Sequence, residues 1–175
     1  DDLLNPTHSG RIWEEANRFL GRPEYRVRGL LRQMNVRYVG TTDDPIDDLS
    51  AHRTMMQDES LPLVVRPSFR PDKTYALGYP AAFRAYMEQL AAAAGVDSIR
   101  TFDDLREALV ARIEYFHNMG CRVSDHALVL PVNRNYTEGL LNGILSSVLS
   151  GNPPEQEDQE AFTTAVLEFV GREYA

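Results

Sequence analysis

Apolar and polar positions along the chain follow two different periods, and the changes between them define an order of elements. Apolar residues recur at helical spacing in the first part of the chain and in several later segments. β-branched and aromatic residues form strand-like runs at "VRYVGTT", which begins at Val36, and at "LPLVVRPS", which begins at Leu61. The shorter run "CRV" at Cys121 lies where a third strand belongs. The predicted order is helix, helix, strand, helix, strand, two helices, strand and two helices.

Residues typical of helix ends support this order. Asp44-Pro45 has the form of an N-cap followed by a first helical residue, which predicts a helix that ends near Gln57. Thr101, with Asp104 three residues later, has the form of a capping box. Each signal marks the start of a predicted helix.

Strands that alternate with helices imply a parallel sheet with right-handed crossovers, so the predicted fold class is α/β. Three strands neither close a barrel nor cover the edges of their sheet. We therefore expect the chain to be a section of a larger fold, and the missing initial methionine favours the same interpretation. The predicted organisation is one partial domain over 1–175, with N-terminal helices in 1–35, two βα units in 36–78, a helical insertion in 79–119, and a third strand with C-terminal helices in 120–175.

Polar residues cluster after each predicted strand. Parallel strands in α/β folds end at one edge of the sheet, and binding sites form at that edge. We therefore expect the three clusters to lie on one rim. The residues that we select are Thr42 and Asp43 after the first strand, Arg70 and Lys73 after the second, and Asp125 and His126 after the third.

Several neighbouring acidic residues have a purely structural explanation. Asp44 is most simply a helix cap, and Asp47 and Asp48 are most simply a solvated first helical turn. Asp43 is the better site candidate in that group. Asp125-His126 is either a carboxylate that holds an imidazole or a structural pair.

Arg70 and Lys73 favour an anionic ligand. A guanidinium binds a carboxylate through two parallel hydrogen bonds, and the proline in "RPDK" fixes the backbone around it. The chain contains no GxGxxG, phosphate-binding loop, HExxH or GxSxG motif. His52 and His117 fall within helix patterns and are expected as surface or core residues. Because the four histidines are far apart in sequence, a self-contained metal site is not predicted.

Composition narrows the class of protein. The net charge of −8 argues against a nucleic-acid partner. A hydrophobic content of 43% suffices for an ordinary core, and no segment has the roughly 18 continuous apolar residues of a membrane span. A single cysteine, Cys121, excludes an internal disulfide, and together with the absence of a signal peptide it favours a cytoplasmic location.

Three blocks together resemble the uronate isomerases, also called glucuronate isomerases. The blocks are "RGLLRQMNVRYVGTTDDPIDDL", "PSFRPDK" and "GCRVSDHAL", and "IWEEANRFL" and "TAVLEFVGREYA" resemble that family too. The resemblance covers nearly all of the 175 residues, in the family's order. "TTDDP", "RPDK" and "SDHAL" are specific in combination, whereas each alone is a weak signal.

The resemblance implies a fold and a reaction. Uronate isomerases belong to the amidohydrolase superfamily, and the chain would be an internal section of their distorted (β/α)8 TIM barrel, near the second to fourth strands, with additional helices. The family interconverts D-glucuronate with D-fructuronate and D-galacturonate with D-tagaturonate. Its divalent metal, expected to be zinc, is bound by a His-x-His on the first strand and an aspartate on the last, and this chain lacks both ligand sets.

The same resemblance implies roles and partners. The ligand would be a small uronate, with neither nucleic acid nor membrane as partner, and exposed sheet edges make a homo-oligomer conceivable. This section alone is expected to be inactive. The alternative is a stand-alone, non-catalytic domain that binds a sugar acid or serves as a scaffold. The expected catalytic residues are Asp43, Asp125 and His126, and the expected substrate-binding residues are Thr42, Arg70 and Lys73.

Overall fold

The computed structural model describes residues 3–128 and 131–175. This part of the chain is mixed α/β and mostly helical, with two short strands. The strands are β1 (Tyr38–Gly40) and β2 (Val64–Arg66). The helices are α1 (Ser9–Leu20), α2 (Val27–Gln33), α3 (Ser50–Met56), α4 (Pro80–Ala94), α5 (Phe102–Asn118), α6 (Glu138–Leu149) and α7 (Gln156–Glu173), with 3-10 turns at Pro23–Tyr25 and Asp72–Tyr75.

The predicted capping box at the start of α5 is confirmed. The Thr101 side chain accepts a hydrogen bond from the backbone N–H of Asp104, and the Asp104 carboxylate accepts one from the backbone N–H of Thr101. Each bond satisfies a backbone donor that the first turn of a helix leaves unpaired. Helix α4, which precedes α5, ends at Gly95. Gly95 has a φ of 75°, a left-handed conformation that glycine adopts without steric cost.

The prediction that Asp44 caps a helix is wrong. Helix α3 begins at Ser50, and Oδ1 of Asp44 accepts the backbone N–H of Ile46 in a turn. Leu49 has a φ of 52°, which lies outside the right-handed helical region, so a helix cannot run from Asp44 through Leu49 into α3. Asp48 instead accepts the backbone N–H of Ser50. The expected first helical turn around Asp47 is therefore a loop.

The sheet is shorter than predicted. β1 and β2 pair, and a parallel bridge between Asp43 and Phe69 continues that pairing beyond the strands. In the part of the chain that the structure describes, the third strand is reduced to one parallel bridge between Phe69 and Ser124. Phe69 donates to the carbonyl of Val123 and accepts from the N–H of Asp125.

Two prolines explain why the third strand does not extend. Backbone N–H groups two residues apart in a strand point to the same side. Phe69 points its N–H towards Val123, so the next donors in that direction would belong to Pro67 and Pro71. Proline has no backbone N–H, and the ladder stops after one bridge.

The chain divides into two compact units, which we describe separately. The first comprises Asp1–Val39 with Arg53–Val65, and the second comprises Gly40–His52 with Arg66–Ala175. None of the described residues of the first unit is buried. In the second unit α4 packs against α5 and α6, and α5, α6 and α7 pack against one another. Its most fully buried side chains include Leu77, Met87, Leu90, Phe102, Leu105, Leu109, Phe116, Leu141, Leu145, Val148 and Phe162.

The helices have moderate length and mixed polarity. Among the described residues, no helix is both long enough and apolar enough to cross a membrane. The predicted subdivision of 1–175 into a partial domain with a helical insertion stays a prediction.

Candidate functional site

A cavity of about 250 Å³ lies in the second unit, beside the residues that follow β1 and the Asp43–Phe69 bridge. Four of the six residues selected from the sequence line it. The structure thus brings together the polar clusters after the first two predicted strands. The lining residues are Thr42, Asp43, Asp44, Arg70, Asp72 and Lys73.

The backbone places Asp43 and Arg70 next to each other. Asp43 donates its N–H to the carbonyl of Ser68 at 3.1 Å, and Arg70 donates its N–H to the carbonyl of Asp43 at 3.0 Å. These bonds fix the register of the two segments. Buried Pro71 then ends the extended segment, and Lys73 follows within the 3-10 turn. The two cations therefore reach the cavity from one short, well-anchored stretch.

Arg70 is held by two carboxylates. Its Nε lies 2.7 Å from Oδ2 of Asp72, and its Nη1 lies 3.3 Å from Oδ2 of Asp125. The hydrogen bond to Asp72 is the main reason that the pKa of Arg70 is raised above its usual value. A guanidinium has five N–H donors, so these two ion pairs orient the group and still leave donors for a ligand. Asp125, which the sequence predicted as catalytic, therefore forms an ion pair with Arg70.

Asp72 is the acidic residue to which the sequence analysis gave no role. Besides Arg70, it accepts hydrogen bonds from the hydroxyl of Tyr75 and from the backbone N–H of Ala127 at 3.1 Å. Burial, followed by the bond to Asp72, raises the pKa of Tyr75. Asp72 therefore joins the loop after the second predicted strand to the segment after the third. Its place inside "RPDK" was the signal that could have revealed it.

Lys73 is paired with Asp44. Its Nζ lies 3.1 Å from Oδ2 of Asp44 and 5.5 Å from the centre of the Tyr86 ring. The hydroxyl of Tyr86 donates to Oδ1 of Asp44 at 2.7 Å, and burial is the main reason that the pKa of Tyr86 is raised. Asp44 is thus an anchor for the cation and not a helix cap. Lys73 stays 62% exposed, which leaves it accessible to a ligand.

Asp43 is buried, and its side-chain partners are not among the residues that line the cavity. Its carboxylate accepts the hydroxyl of Thr41 at 2.6 Å and the N–H of Ser68 at 3.1 Å. Nε2 of His52 lies 2.8 Å from the Thr41 hydroxyl oxygen. His52 was expected as a surface or core residue, and it is buried with a polar contact that no sequence motif revealed.

Asp125 and His126 have separate contacts. Asp125 pairs with Arg70, whereas His126 lies beside Tyr174, with 3.4 Å between Nε2 and the tyrosine hydroxyl oxygen. The two rings are 5.9 Å apart at their centres. Burial is the main reason that the pKa of His126 is lowered, and nearby Asp72 opposes that shift. The structure therefore places His126 beside Tyr174, which directly follows α7, and next to the Arg70 network.

The lowered pKa of His126 predicts a pH dependence of stability. An unfolded histidine has a pKa of about 6.5. Because the folded state favours the neutral ring, the free energy of unfolding should fall as the pH drops below about 6.5 and level off below the folded-state pKa. Urea unfolding of the 175-residue chain between pH 7.5 and 5 should show a steeper decline than that of the His126→Gln variant. His117→Gln, at an exposed histidine, is the matched control; equal declines in wild type and His126→Gln would contradict the prediction.

The described residues do not fit a metal ion. Within 3–128 and 131–175, no group of three or more histidine, cysteine or acidic side chains is arranged to hold one. A divalent metal requires about four to six ligands, of which at least three usually come from protein side chains in zinc sites.

Comparisons with known proteins confirm the family resemblance that the three sequence blocks indicated. The family model described as Glucuronate isomerase matches residues 1–175. The chain belongs to the glucuronate isomerase family. This family member is 45% identical to the uronate isomerase of Yersinia enterocolitica over 172 residues, which are 98% of the chain and 36% of that protein. It is 46% identical to the uronate isomerase of Edwardsiella ictaluri over 174 residues, covering 99% of the chain and 37% of that protein.

Solved structures show the same fold. The crystal structure of uronate isomerase from Thermotoga maritima matches this glucuronate isomerase family member with a TM-score of 0.86 and 28% identity, over 99% of the chain and 37% of that structure. Glucuronate isomerase from Caulobacter crescentus matches with a TM-score of 0.83 at 19% identity, which supports the fold alone. The chain thus spans little more than a third of the length of the relatives that it matches.

Proposed function

We propose that the cavity is part of the substrate site of a uronate isomerase, completed by the rest of a longer protein. The reaction would interconvert D-glucuronate with D-fructuronate and D-galacturonate with D-tagaturonate. The observation that supports this most directly is the anchored guanidinium of Arg70 at the cavity, in a chain that belongs to the glucuronate isomerase family. A uronate carries a carboxylate at C6, for which arginine is a well-suited partner.

The chemistry matches the residues. Aldose–ketose isomerisation moves hydrogen from C2 to C1, either as a proton through an enediol or as a hydride. It requires a base, stabilisation of charge on the carbonyl oxygen and a partner for the C6 carboxylate. We assign Arg70 and Lys73 to the carboxylate and Thr42 to a sugar hydroxyl.

The acidic residues and the histidine receive the remaining roles. We assign Asp43 to proton transfer or a sugar hydroxyl, and we propose that Asp125 and His126 line or support the pocket that the complete protein forms. Asp125 also orients Arg70 through its ion pair at 3.3 Å. A base that moves a proton typically contributes about 10²–10⁴-fold to the rate.

The whole protein supplies what this chain does not. We propose that the chain forms a section of a (β/α)8 barrel of the amidohydrolase type, and that zinc or another divalent ion is bound by residues outside it. A metal would supply Lewis-acid stabilisation of the carbonyl oxygen. A single cysteine among 175 residues fits a reducing, cytoplasmic setting. The homo-oligomer expected from exposed sheet edges stays a prediction.

The test compares the longer protein with this section of it. The full-length protein that contains these 175 residues, supplied with zinc, should convert D-glucuronate or D-galacturonate to a ketose, measured by a reductase-coupled loss of NADH. D-Glucose, which lacks the carboxylate, should show a kcat/KM lower by about 10²-fold or more. The 175-residue chain alone should show no turnover, because it represents only 36% of the length of a relative.

Each outcome decides between two functions. Full-length protein that converts D-glucose as well as the uronates would contradict recognition of the carboxylate. If the full-length protein is inactive but the 175-residue chain binds uronates, the non-catalytic sugar-acid-binding alternative is correct. Calorimetric titration of the chain with D-glucuronate provides that second measurement.

A further inference from the structure

A path of hydrogen bonds leads from His52 through Thr41 to Asp43, which lines the cavity. The Thr41 hydroxyl oxygen is 2.6 Å from Oδ2 of Asp43 and 2.8 Å from Nε2 of His52. Oδ2 also accepts the backbone N–H of Ser68. The side chains of His52 and Asp43 are only 7% and 10% exposed. The three side chains therefore form a continuous, partly buried connection from α3 to Asp43, which lines the cavity.

The direction of each hydrogen bond follows from the donors available. Thr41 has one hydroxyl proton, and an ionised carboxylate can only accept, so the 2.6 Å contact is a donation from Thr41 to Asp43. The carbonyl of Arg66 competes for that proton, but it is neutral and lies farther away, at 3.3 Å. The hydroxyl oxygen then accepts from Nε2 of His52, which therefore carries the ring proton.

His52 has a feature that packing alone does not explain. Among the residues that the structure describes, Nδ1 of His52 is buried without a hydrogen-bond partner. Burying an unpaired polar nitrogen costs free energy, and an apolar residue of similar size would avoid that cost. The other ring nitrogen, Nε2, nevertheless forms a hydrogen bond with the Thr41 hydroxyl. The ring therefore fixes the orientation of the Thr41 hydroxyl, while its own Nδ1 stays buried without a hydrogen bond.

We propose that His52 is a positioning residue, which acts through the Thr41 hydroxyl to hold the Asp43 carboxylate in one orientation at the cavity. The inference rests on the proposed function, because it assigns a support to a residue of that site. Without the Nε2 donor, the Thr41 hydroxyl oxygen loses a hydrogen bond that fixes its position, and the carbonyl of Arg66, at 3.3 Å, stays as a competing acceptor for its proton.

Such a role affects turnover more than substrate affinity. Misplacement of a reacting group by a fraction of an ångström lowers the rate of the chemical step. The substrate carboxylate is assigned to Arg70 and Lys73, whose ion pairs to Asp72 and Asp44 do not involve His52. Loss of the His52 donor should therefore lower kcat and leave KM nearly unchanged.

The test uses two substitutions at one position in the full-length protein that contains this sequence. His52→Leu fills a similar volume without a donor, whereas His52→Gln places an amide N–H near the position of Nε2. With D-glucuronate, His52→Leu should lower kcat by about 10–100-fold, as is common for residues that orient catalytic groups, and change KM by less than about 3-fold. His52→Gln should recover most of the loss, and melting temperatures report on folding.

A second pair of variants tests the path through Thr41. Thr41→Val removes the hydroxyl and should lower kcat as His52→Leu does, whereas Thr41→Ser retains it and should stay near wild type. Combining Thr41→Val with His52→Leu should cost no more than the larger single effect, because both remove the same interaction. If His52→Leu does not fold, the comparison of Thr41→Val with Thr41→Ser decides the question.

The outcomes separate this inference from the proposed function. Wild-type activity with an unchanged kcat in His52→Leu, or a His52→Gln variant as slow as His52→Leu, overturns the positioning role alone. Additive losses in the double variant do the same. A wild-type protein that converts no uronate overturns the proposed function, and the positioning role with it.

Discussion

Replacing Arg70 by methionine in the full-length protein is expected to lower kcat/KM for D-glucuronate by about 10²–10³-fold, because the substrate carboxylate loses a hydrogen-bonded charged partner, at about 2–5 kcal/mol. Stability should change little, because Arg70 is 35% exposed and its pairs with Asp72 and Asp125 are partly solvated. Such ion pairs contribute about 0–1 kcal/mol. Steady-state kinetics and the melting temperature measure the two effects separately.

Two controls define what Arg70 contributes. Arg84→Met removes an exposed arginine of α4 that donates to the carbonyl of Leu149, and it should leave the kinetics unchanged. Arg70→Lys keeps the charge but loses the planar fork, and it should recover only part of the activity. A large drop in melting temperature with normal kinetics in Arg70→Met would show that Arg70 is a structural residue.

Arg112→Met is expected to cause the largest loss of stability of any substitution considered. Arg112 is 6% exposed, and it donates to three backbone carbonyls, those of Pro45, Asp47 and Ala93, at 2.6–2.8 Å. Its guanidinium also stacks on the Tyr115 ring, 4.1 Å from the ring centre. Methionine retains most of the packing but leaves the carbonyls unpaired, at about 1–3 kcal/mol for each that stays buried.

The expected total is about 3–5 kcal/mol, the lower part of the range for three carbonyls that lose their donor together. Urea unfolding of the 175-residue chain, followed by circular dichroism, measures it. Arg172→Met is the matched control, since Arg172 is exposed on α7 and forms a surface ion pair with Glu168 at 3.3 Å. A shift of the Arg112→Met midpoint no larger than that of Arg172→Met would contradict a supporting role for the three bonds.

Local sequence signals were sufficient to predict a helix end where the residues that form the cap are close together in the chain. The box at Thr101 and Asp104 needs only neighbours in the chain, and it formed as predicted. Asp44-Pro45 carried the same kind of signal and failed, because Asp44 is engaged by Tyr86, 42 residues away, and by Lys73. A cap and a tertiary anchor use the same carboxylate, and composition does not distinguish them.

The site was predictable in outline and not in its connections. The rule that parallel strands end at one edge correctly brought Thr42, Asp43, Arg70 and Lys73 to one cavity. The rule did not predict the contacts of Asp72, whose hydrogen bonds to Arg70 and Ala127 span up to 55 residues of sequence. Contacts at such separations depend on how the elements pack, which no motif in a single sequence encodes.

The bonds from Arg112 have a consequence for how this family can vary. The guanidinium binds the main chain of the loop after β1, at Pro45 and Asp47, and not the side chains of that loop. Every residue type offers the same carbonyl oxygen, so substitutions in the loop leave this support intact. Residues next to the cavity can therefore be exchanged without loss of these bonds, and α5 continues to hold the loop in place.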